Sequence, residues 1–196
     1  MPRNRTDMAA ETRIKLIEAG REAFGSKGYA DASMDDIAAA VGLTRGAIYH
    51  HFGDKKGLFQ AVVERIDDEI DQKIIQVTHG NNKTSWTKFL LESRCYLEFM
   101  LVPEIQQIVI RDGRSVLGDI NDWPSQAKYN ELLANTLTLL MDTKNIKRCD
   151  AYALARQING ALFNAAFWIA ESAEPRATLK RAWQAFALLM DGLRNQ

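Results

Sequence analysis

Side chains that bond readily to phosphates and base edges are concentrated between positions 44 and 55 of this 196-residue chain. A helix capped by Thr44 would carry Arg45 and Tyr49 on one side, because residues four apart share a helix face. Guanidinium, hydroxyl and imidazole groups are those that contact DNA phosphates and bases. This helix and the start of the next would present Thr44, Arg45, Ala47, Tyr49, His50, His51 and Lys55. The pattern is typical of a helix that enters the major groove.

A short helix and a glycine turn must position that helix. Ser33 stands where an N-cap is expected, with Asp36 at the capping-box position three residues later. Ala38 is small enough for two helices to cross closely, and Gly42 can adopt the positive φ of a tight turn. Ile48 would pack the later helix back on the earlier one. This spacing predicts a helix-turn-helix, preceded by a first helix that we expect to end at a glycine, Gly25.

The periodicity of apolar residues indicates the fold class. Apolar residues recur three and four positions apart along most of the chain, and sustained alternation is nearly absent. We therefore predict an all-α fold of about nine helices. Residues 1–54 would form a three-helix helix-turn-helix DNA-binding domain, 55–77 a connecting helix, and 78–196 a larger helical ligand-binding and dimerisation domain.

Composition narrows the class of protein. The 25 basic and 25 acidic residues balance, so a DNA-binding surface must be local. Cys95 and Cys149 lie in no redox or metal spacing, and the chain has no nucleophile, phosphate-loop or paired-carboxylate motif. The N-terminal residues lack the apolar region of a signal peptide, and no apolar run reaches ~18 residues. We expect a non-enzymatic cytoplasmic protein with no metal, cofactor or membrane partner.

The run from position 33 to 58, SMDDIAAAVGLTRGAIYHHFGDKKGL, resembles the DNA-binding signature of the TetR family of bacterial regulators. The family's typed positions are met by Asp36, Ile37, Ala38, Gly42, Gly46, Tyr49, His51, Phe52 and Lys55. The resemblance implies phosphate contacts from Ser33, Tyr49, His51 and Lys55. It implies groove contacts from Thr44, Arg45, Ala47 and His50, and Arg3 and Arg5 are candidate arms toward the minor groove or phosphates.

Two later segments, 150–171 and 175–193, are apolar around most of their circumference, so each helix must be covered on more than one side. A second copy of the chain is the expected cover, in a four-helix interface that the family resemblance also implies. Such an interface would bury on the order of 2,000 Å². The candidate interface residues are Gly160, Asn164, Phe167, Trp168, Ala182, Ala185 and Leu189. The alternative is a thick core within one monomer.

The region between the DNA-binding module and these helices combines aromatic residues with a few polar ones, as small-ligand pockets do. The candidate pocket residues are Phe89, Arg94, Cys95, Tyr96, Phe99, Arg111, Leu133 and Asn164. An apolar or aromatic ligand with one polar or anionic end would suit them, with Arg94 or Arg111 as its receptor. Ordinary core packing of the aromatics, and helix capping by either arginine, are the alternatives.

The predicted function is a homodimeric repressor that binds a pseudo-palindromic operator in double-stranded DNA and is released by a small-molecule effector. The helix over 55–77 would move between the two states. A DNA-anchored interaction protein of the same fold, without a ligand response, is the alternative. Loss of DNA binding on adding a ligand would favour the regulator, and a filled C-terminal core would favour the anchor.

Overall fold

The computed structural model describes residues 5–78, 86–120 and 123–195. Over these ranges the chain forms nine helices. The β-pairing seen in these ranges is one isolated antiparallel bridge, between Ile146 and Arg194. The all-α fold class predicted from the sequence is confirmed.

The helices follow one another along the chain. They are α1 (Arg5–Asp31), α2 (Met34–Ala40), α3 (Arg45–Phe52), α4 (Lys55–Thr78), α5 (Trp86–Phe99), α6 (103–117), α7 (Pro124–Asp142), α8 (Ala151–Glu171) and α9 (Pro175–Asp191). Three contiguous pieces make up α6: Pro103–Ile105, a π-helical middle over Gln106–Asp112, and Gly113–Leu117.

The chain divides into two compact units whose boundaries differ from the predicted domains. The first unit contains 1–68 and 103–119, and the second contains 69–102 and 120–196. The helix α6 therefore belongs with the N-terminal helices, and the division falls inside α4. Periodicity shows which residues of α6 are apolar but not which helix covers them, and the domain boundaries at 54 and 77 stay a prediction.

The core of the first unit lies between α1, α3 and α4. Phe24 and Phe59 are fully buried, with ring centroids 5.2 Å apart in an edge-on contact. A Cβ on Gly20 would lie 3.2 Å from a methyl group of Leu58, so the small residue lets α4 approach α1 closely. Burial of two such aromatic side chains contributes several kcal/mol in a module this small.

The first helix extends beyond Gly25, so the stop predicted there was wrong. The helical backbone breaks instead at Gly28, with φ 78° and ψ 166°. Gly25 serves a different purpose, because a Cβ there would lie 3.0 Å from the Cγ of Glu104 on α6. Gly25 therefore marks a close approach of two helices and not the end of one. Sequence spacing does not distinguish these two uses of a glycine.

Polar contacts join α1 to α6 within the first unit. Arg21 donates two hydrogen bonds to Glu104, Nε to Oε1 at 2.8 Å and Nη2 to Oε2 at 2.9 Å. At the break in α1, the N–H of Tyr29 donates to Asp112 Oδ2 at 2.8 Å. The Gln107 amide donates to the same carboxylate oxygen at 3.0 Å. Asp112 thus caps the last turn of α1 from a distant part of the chain.

The second unit is built around α8. Its buried stripe includes Ala155, Ile158, Ala166 and Ile169, and α8 packs against α5, α7 and α9. Buried polar groups there are paired, as in the 2.7 Å hydrogen bond from the amide of Asn159 to Asn130. The stripe repeats every three to four residues, which leaves part of α8 outside this core.

The break in α1 leads to a stability prediction. We expect Gly28→Ala to lower the free energy of unfolding by about 1–3 kcal/mol, since its φ and ψ suit glycine alone and the new Cβ would crowd the amide of Gln107 at 3.3 Å. Urea unfolding followed by circular dichroism measures this. Gly46→Ala inside α3, where the nearest atom is 3.6 Å away, is the control and should be neutral or stabilising. Equal midpoints for the two variants would contradict the prediction.

Candidate nucleic-acid interface

The N-terminal caps of α2 and α3 differ. Ser33 has extended backbone angles, and its Oγ accepts the N–H of Asp36 at 3.3 Å, so the predicted cap of α2 is confirmed. Asp36 itself lies 3.6 Å from the ammonium of Lys27. Thr44 occupies the N-cap position of α3, but its hydroxyl makes no capping hydrogen bond. That hydroxyl belongs to an exposed residue at the end of the helix.

The turn between α2 and α3 has the predicted construction. Gly42 has a φ of 69°, and the N–H of Leu43 donates to the carbonyl of Ala38 at 2.9 Å. Ala38 is 1% exposed and Ile48 is fully buried. Small and apolar residues therefore bring α3 against α2, and the remaining sides of α3 are left for polar groups.

The predicted DNA-binding side chains fall into two groups by exposure. Exposed ones are Thr44, Arg45, Tyr49 and His50. Half-buried ones are Ser33, Ala47, His51 and Lys55. All eight lie on α2, α3 or the first turn of α4, or cap one of these helices, so the fold brings them onto one module. The side chains of Arg3 and Arg5 lie outside the described residues.

Arg45 is held by two neighbours. Its Nη1 donates to Asp35 Oδ2 on α2 at 3.2 Å, and its Nη2 donates to the Tyr49 hydroxyl one turn along α3 at 2.8 Å. The guanidinium also lies 5.4 Å from the centre of the Tyr49 ring. The hydrogen bond to Tyr49, followed by the charges of Tyr49 and Asp35, raises the pKa of Arg45. Asp35 is a functional candidate that spacing on α3 alone did not reveal.

The two adjacent histidines lie at the C-terminal end of α3, with ring centroids 5.2 Å apart. Burial lowers the pKa of His51 below its ordinary 6.5, and the charges of His50 and Arg13 lower it further. His51 is therefore a neutral imidazole at pH 7. Arg13 on α1 lies 5.2 Å from the Phe52 ring, which adds to this module a cation that was not among the predicted residues. Its position facing α3 depends on the crossing of α1, which sequence spacing does not specify.

Lys55 is engaged inside the module. Its ammonium donates to the carbonyl of Ala30 at 3.1 Å and lies 4.7 Å from the centre of the Tyr29 ring. Burial raises the pKa of Tyr29, and the charge of Asp54 raises it further, which keeps the phenol neutral. Lys55 therefore joins the start of α4 to the end of α1, whatever its part in DNA binding.

The eight predicted pocket residues are divided between the two units. Arg111 belongs to the first unit, where it is exposed and donates to Gln107 at 3.4 Å. The other seven lie in the second unit, where Phe89 is buried, Cys95, Tyr96, Phe99 and Leu133 are half-buried, and Arg94 and Asn164 are exposed. The guanidinium of Arg94 pairs with Glu98 at 3.0 Å and lies over the Trp183 ring. The pocket stays a prediction.

Most of the predicted interface residues lie on the outer surfaces of α8 and α9. Gly160, Asn164, Trp168, Ala185 and Leu189 are exposed, and Phe167 is half-buried. Ala182 faces the interior of the chain at 5% exposure. It belongs to the buried stripe of α9, whose members are Thr178, Ala182, Phe186 and Met190, one turn apart. Leu188, at 76% exposure, is an outward apolar residue that the prediction did not include.

A metal centre and a membrane span find no support in the residues that the structure describes. In these ranges no three His, Cys, Asp or Glu side chains come together as a group able to hold a metal ion. None of the helices there is both long and apolar enough to cross a bilayer.

An all-α fold with an N-terminal helix-turn-helix and a larger helical unit defines a class of DNA-binding regulators. A sequence profile described as bacterial regulatory proteins of the tetR family matches residues 16–62. A second, described as the tetracyclin repressor-like C-terminal domain, matches residues 86–193. The second match alone covers more than half of the chain. The protein therefore belongs to the TetR family of transcriptional regulators, and its role is not enzymatic.

Individual relatives agree with this assignment. A crystal structure of a TetR-family transcriptional regulator from Pectobacterium atrosepticum is 43% identical, covers 99% of both chains and superposes with a TM-score of 0.87. The HTH-type transcriptional regulator TtgR of Pseudomonas putida is 42% identical over 36% of this chain and 34% of its own length. The HTH-type transcriptional repressor AcnR of Corynebacterium glutamicum is 41% identical over 49% of each. The chain thus spans a third to a half of these two curated relatives.

The position of Lys55 leads to a second prediction. We expect Lys55→Met to lower the free energy of unfolding by about 0.5–2 kcal/mol, because it removes a hydrogen bond and a cation–π contact while keeping the side-chain length. Thermal and urea unfolding measure this. Lys56→Met, at the exposed neighbouring position, is the control and should change stability by less than about 0.5 kcal/mol. An effect at Lys56 as large as that at Lys55 would show that Lys55 has no structural part.

Proposed function

We propose that this protein is a homodimeric repressor that binds a pseudo-palindromic operator and is released by a small-molecule effector. The observation that carries the proposal is the exposed polar side of α3, which is backed by the fully buried Ile48. A helix of this size enters the major groove with its N-terminal residues nearest the bases. Since its partner would be chromosomal DNA, the cytoplasm is the compartment in which it acts.

Each predicted DNA contact has a physical role in this proposal. Arg45 and Thr44 stand at the N-terminus of α3, where a guanidinium and a hydroxyl reach base edges. Tyr49 and His51 bond phosphates through a hydroxyl and a neutral ring N–H. Ser33 and Lys55 would contact the phosphate backbone. Ala47 and His50 would lie in the groove.

Dimerisation is supported by the exposed apolar residues of α8 and α9. Trp168 is 46% exposed, Leu188 76% and Leu189 63%. Large apolar side chains exposed on two packed helices are a feature of association surfaces. A dimer formed through this face would carry two copies of α3, as an operator of two half-sites requires.

Effector release follows from linkage between the two units. The ligand would bind preferentially the conformer whose two DNA-binding heads do not match the half-site spacing, with a coupling of about 1–3 kcal/mol. The chain passes between the units three times, at 68/69 inside α4, at 102/103 and at 119/120. We assign the movement to α4, which crosses the first of these points, while α6 is bonded to α1 through Glu104 and Asp112. An apolar effector with an anionic end suits the predicted pocket residues.

DNA recognition is tested with two substitutions on α3. Tyr49→Ala should weaken binding to the enriched duplex about three- to tenfold by removing a phosphate contact. Arg45→Ala should cost about 1–3 kcal/mol at one base pair of each half-site and relax the preference there. Both are measured by fluorescence anisotropy on a duplex that the protein enriches from a random-sequence pool, and on point variants of it. Unchanged binding by both variants would refute the assignment of α3 as the reading helix.

The dimer is tested by light scattering at micromolar concentration. We expect twice the mass of the chain, and we expect Leu189→Asp to produce the monomer because it buries a charge in an apolar interface. Ile14→Asp replaces an apolar residue of α1 that is 55% exposed, and it serves as the control that leaves the mass unchanged. A monomeric wild-type protein would refute the dimer. A dimer whose DNA binding responds to no ligand would favour the DNA-anchored interaction protein.

A further inference from the structure

We propose that Asp35 is a specificity-determining residue, whose carboxylate holds the guanidinium of Arg45 as a reader of one base and withholds it from phosphates. This inference rests on the proposed function of α3 as the DNA-reading helix. It assigns a role to an acidic residue on a surface that must approach a polyanion. An acidic side chain in that place opposes DNA binding unless it acts on a neighbouring cation.

The geometry restrains the arginine at two points. Asp35 on α2 receives one hydrogen of Nη1 at 3.2 Å, and Tyr49 on α3 receives one hydrogen of Nη2 at 2.8 Å. The Nε–H and one hydrogen on each terminal nitrogen are left for a DNA partner. A guanidinium restrained at both terminal nitrogens has little freedom to turn. Its remaining donors can meet two acceptors of a guanine edge without breaking either contact.

Phosphate binding by Arg45 has a different cost. To reach a phosphate away from the base edge, the guanidinium must give up its hydrogen bond to Asp35. It then only exchanges one anionic partner for another. The carboxylate also offsets the positive charge of Arg45 in the encounter with any DNA. Both side chains are more than half exposed, at 51% and 67%, so the pair itself contributes little to folding stability. Its effect should therefore be visible in DNA selectivity and not in stability.

The neighbouring acid provides a matched control. Asp36 carries the same charge, lies in the same first turn of α2 and is 69% exposed, but its partner is Lys27 on α1 at 3.6 Å. Asp36→Asn removes one negative charge near the DNA without releasing Arg45. A general electrostatic effect would appear in both variants, whereas an effect through Arg45 would appear in Asp35→Asn alone.

The experiment compares two duplexes of equal length, one that the wild-type protein enriches from a random pool and one of scrambled sequence. We expect Asp35→Asn to bind the scrambled duplex about three- to tenfold more tightly. The slope of log affinity against log salt should steepen by about one on that duplex, because the freed arginine neutralises a phosphate. The ratio of the two affinities should fall. Asp36→Asn should shift both affinities by the same factor, and Asp35→Glu should restore the wild-type ratio.

A double-mutant cycle with Arg45→Ala completes the test. In that background Asp35→Asn should leave the affinity ratio unchanged, since no guanidinium remains to be released. Three results would each overturn this inference while leaving the proposed function intact. They are an unchanged affinity ratio in Asp35→Asn, a fall in the ratio in Asp36→Asn equal to that in Asp35→Asn, and the same fall on Asp35→Asn in the Arg45→Ala background. Failure of the protein to enrich any sequence would refute the proposed function and this inference with it.

Discussion

The burial of Ile48 between α2 and α3 is the interaction on which the DNA-facing surface depends. Ile48 on α3 is fully buried, and the small Ala38 on α2 is 1% exposed. Burying an isoleucine contributes about 1.5–3 kcal/mol. Because each residue turns the helix by about 100°, this contact also directs Tyr49 and His50 away from α2. One apolar contact thus both stabilises the helix-turn-helix and orients its polar side.

The junction of α1 with α6 sets the composition of the first unit. Glu104 and Asp112 come from the middle of the chain, yet both bond to α1 within this unit. Two glycines of α1 make the approach possible, because a Cβ on Gly25 would crowd Glu104, and Gly28 adopts a backbone conformation suited to glycine. The π-helical stretch over Gln106–Asp112 lies in the same segment.

Local charge pairs explain how a chain of zero net charge can present a DNA-binding module. Arg45 and Lys27 are paired with Asp35 and Asp36, while Lys55 is engaged by an aromatic ring and a carbonyl. These contacts restrain the cations while Lys27 and Arg45 stay exposed and Lys55 stays half-buried. Affinity for DNA should then depend on a small number of positioned contacts and be sensitive to salt.

The sequence by itself determined the all-α class, the helix-turn-helix and its family. Those features depend on contacts between residues close in sequence, where helical periodicity, the Ser33 cap and the positive φ of Gly42 apply directly. Only the tertiary structure decided that α6 packs on α1, that Ala182 faces inward and that Asp35 holds Arg45. Each of these depends on which helix covers which face. An apolar or charged residue has many chemically equivalent partners elsewhere in the sequence, and only the packed chain selects one of them.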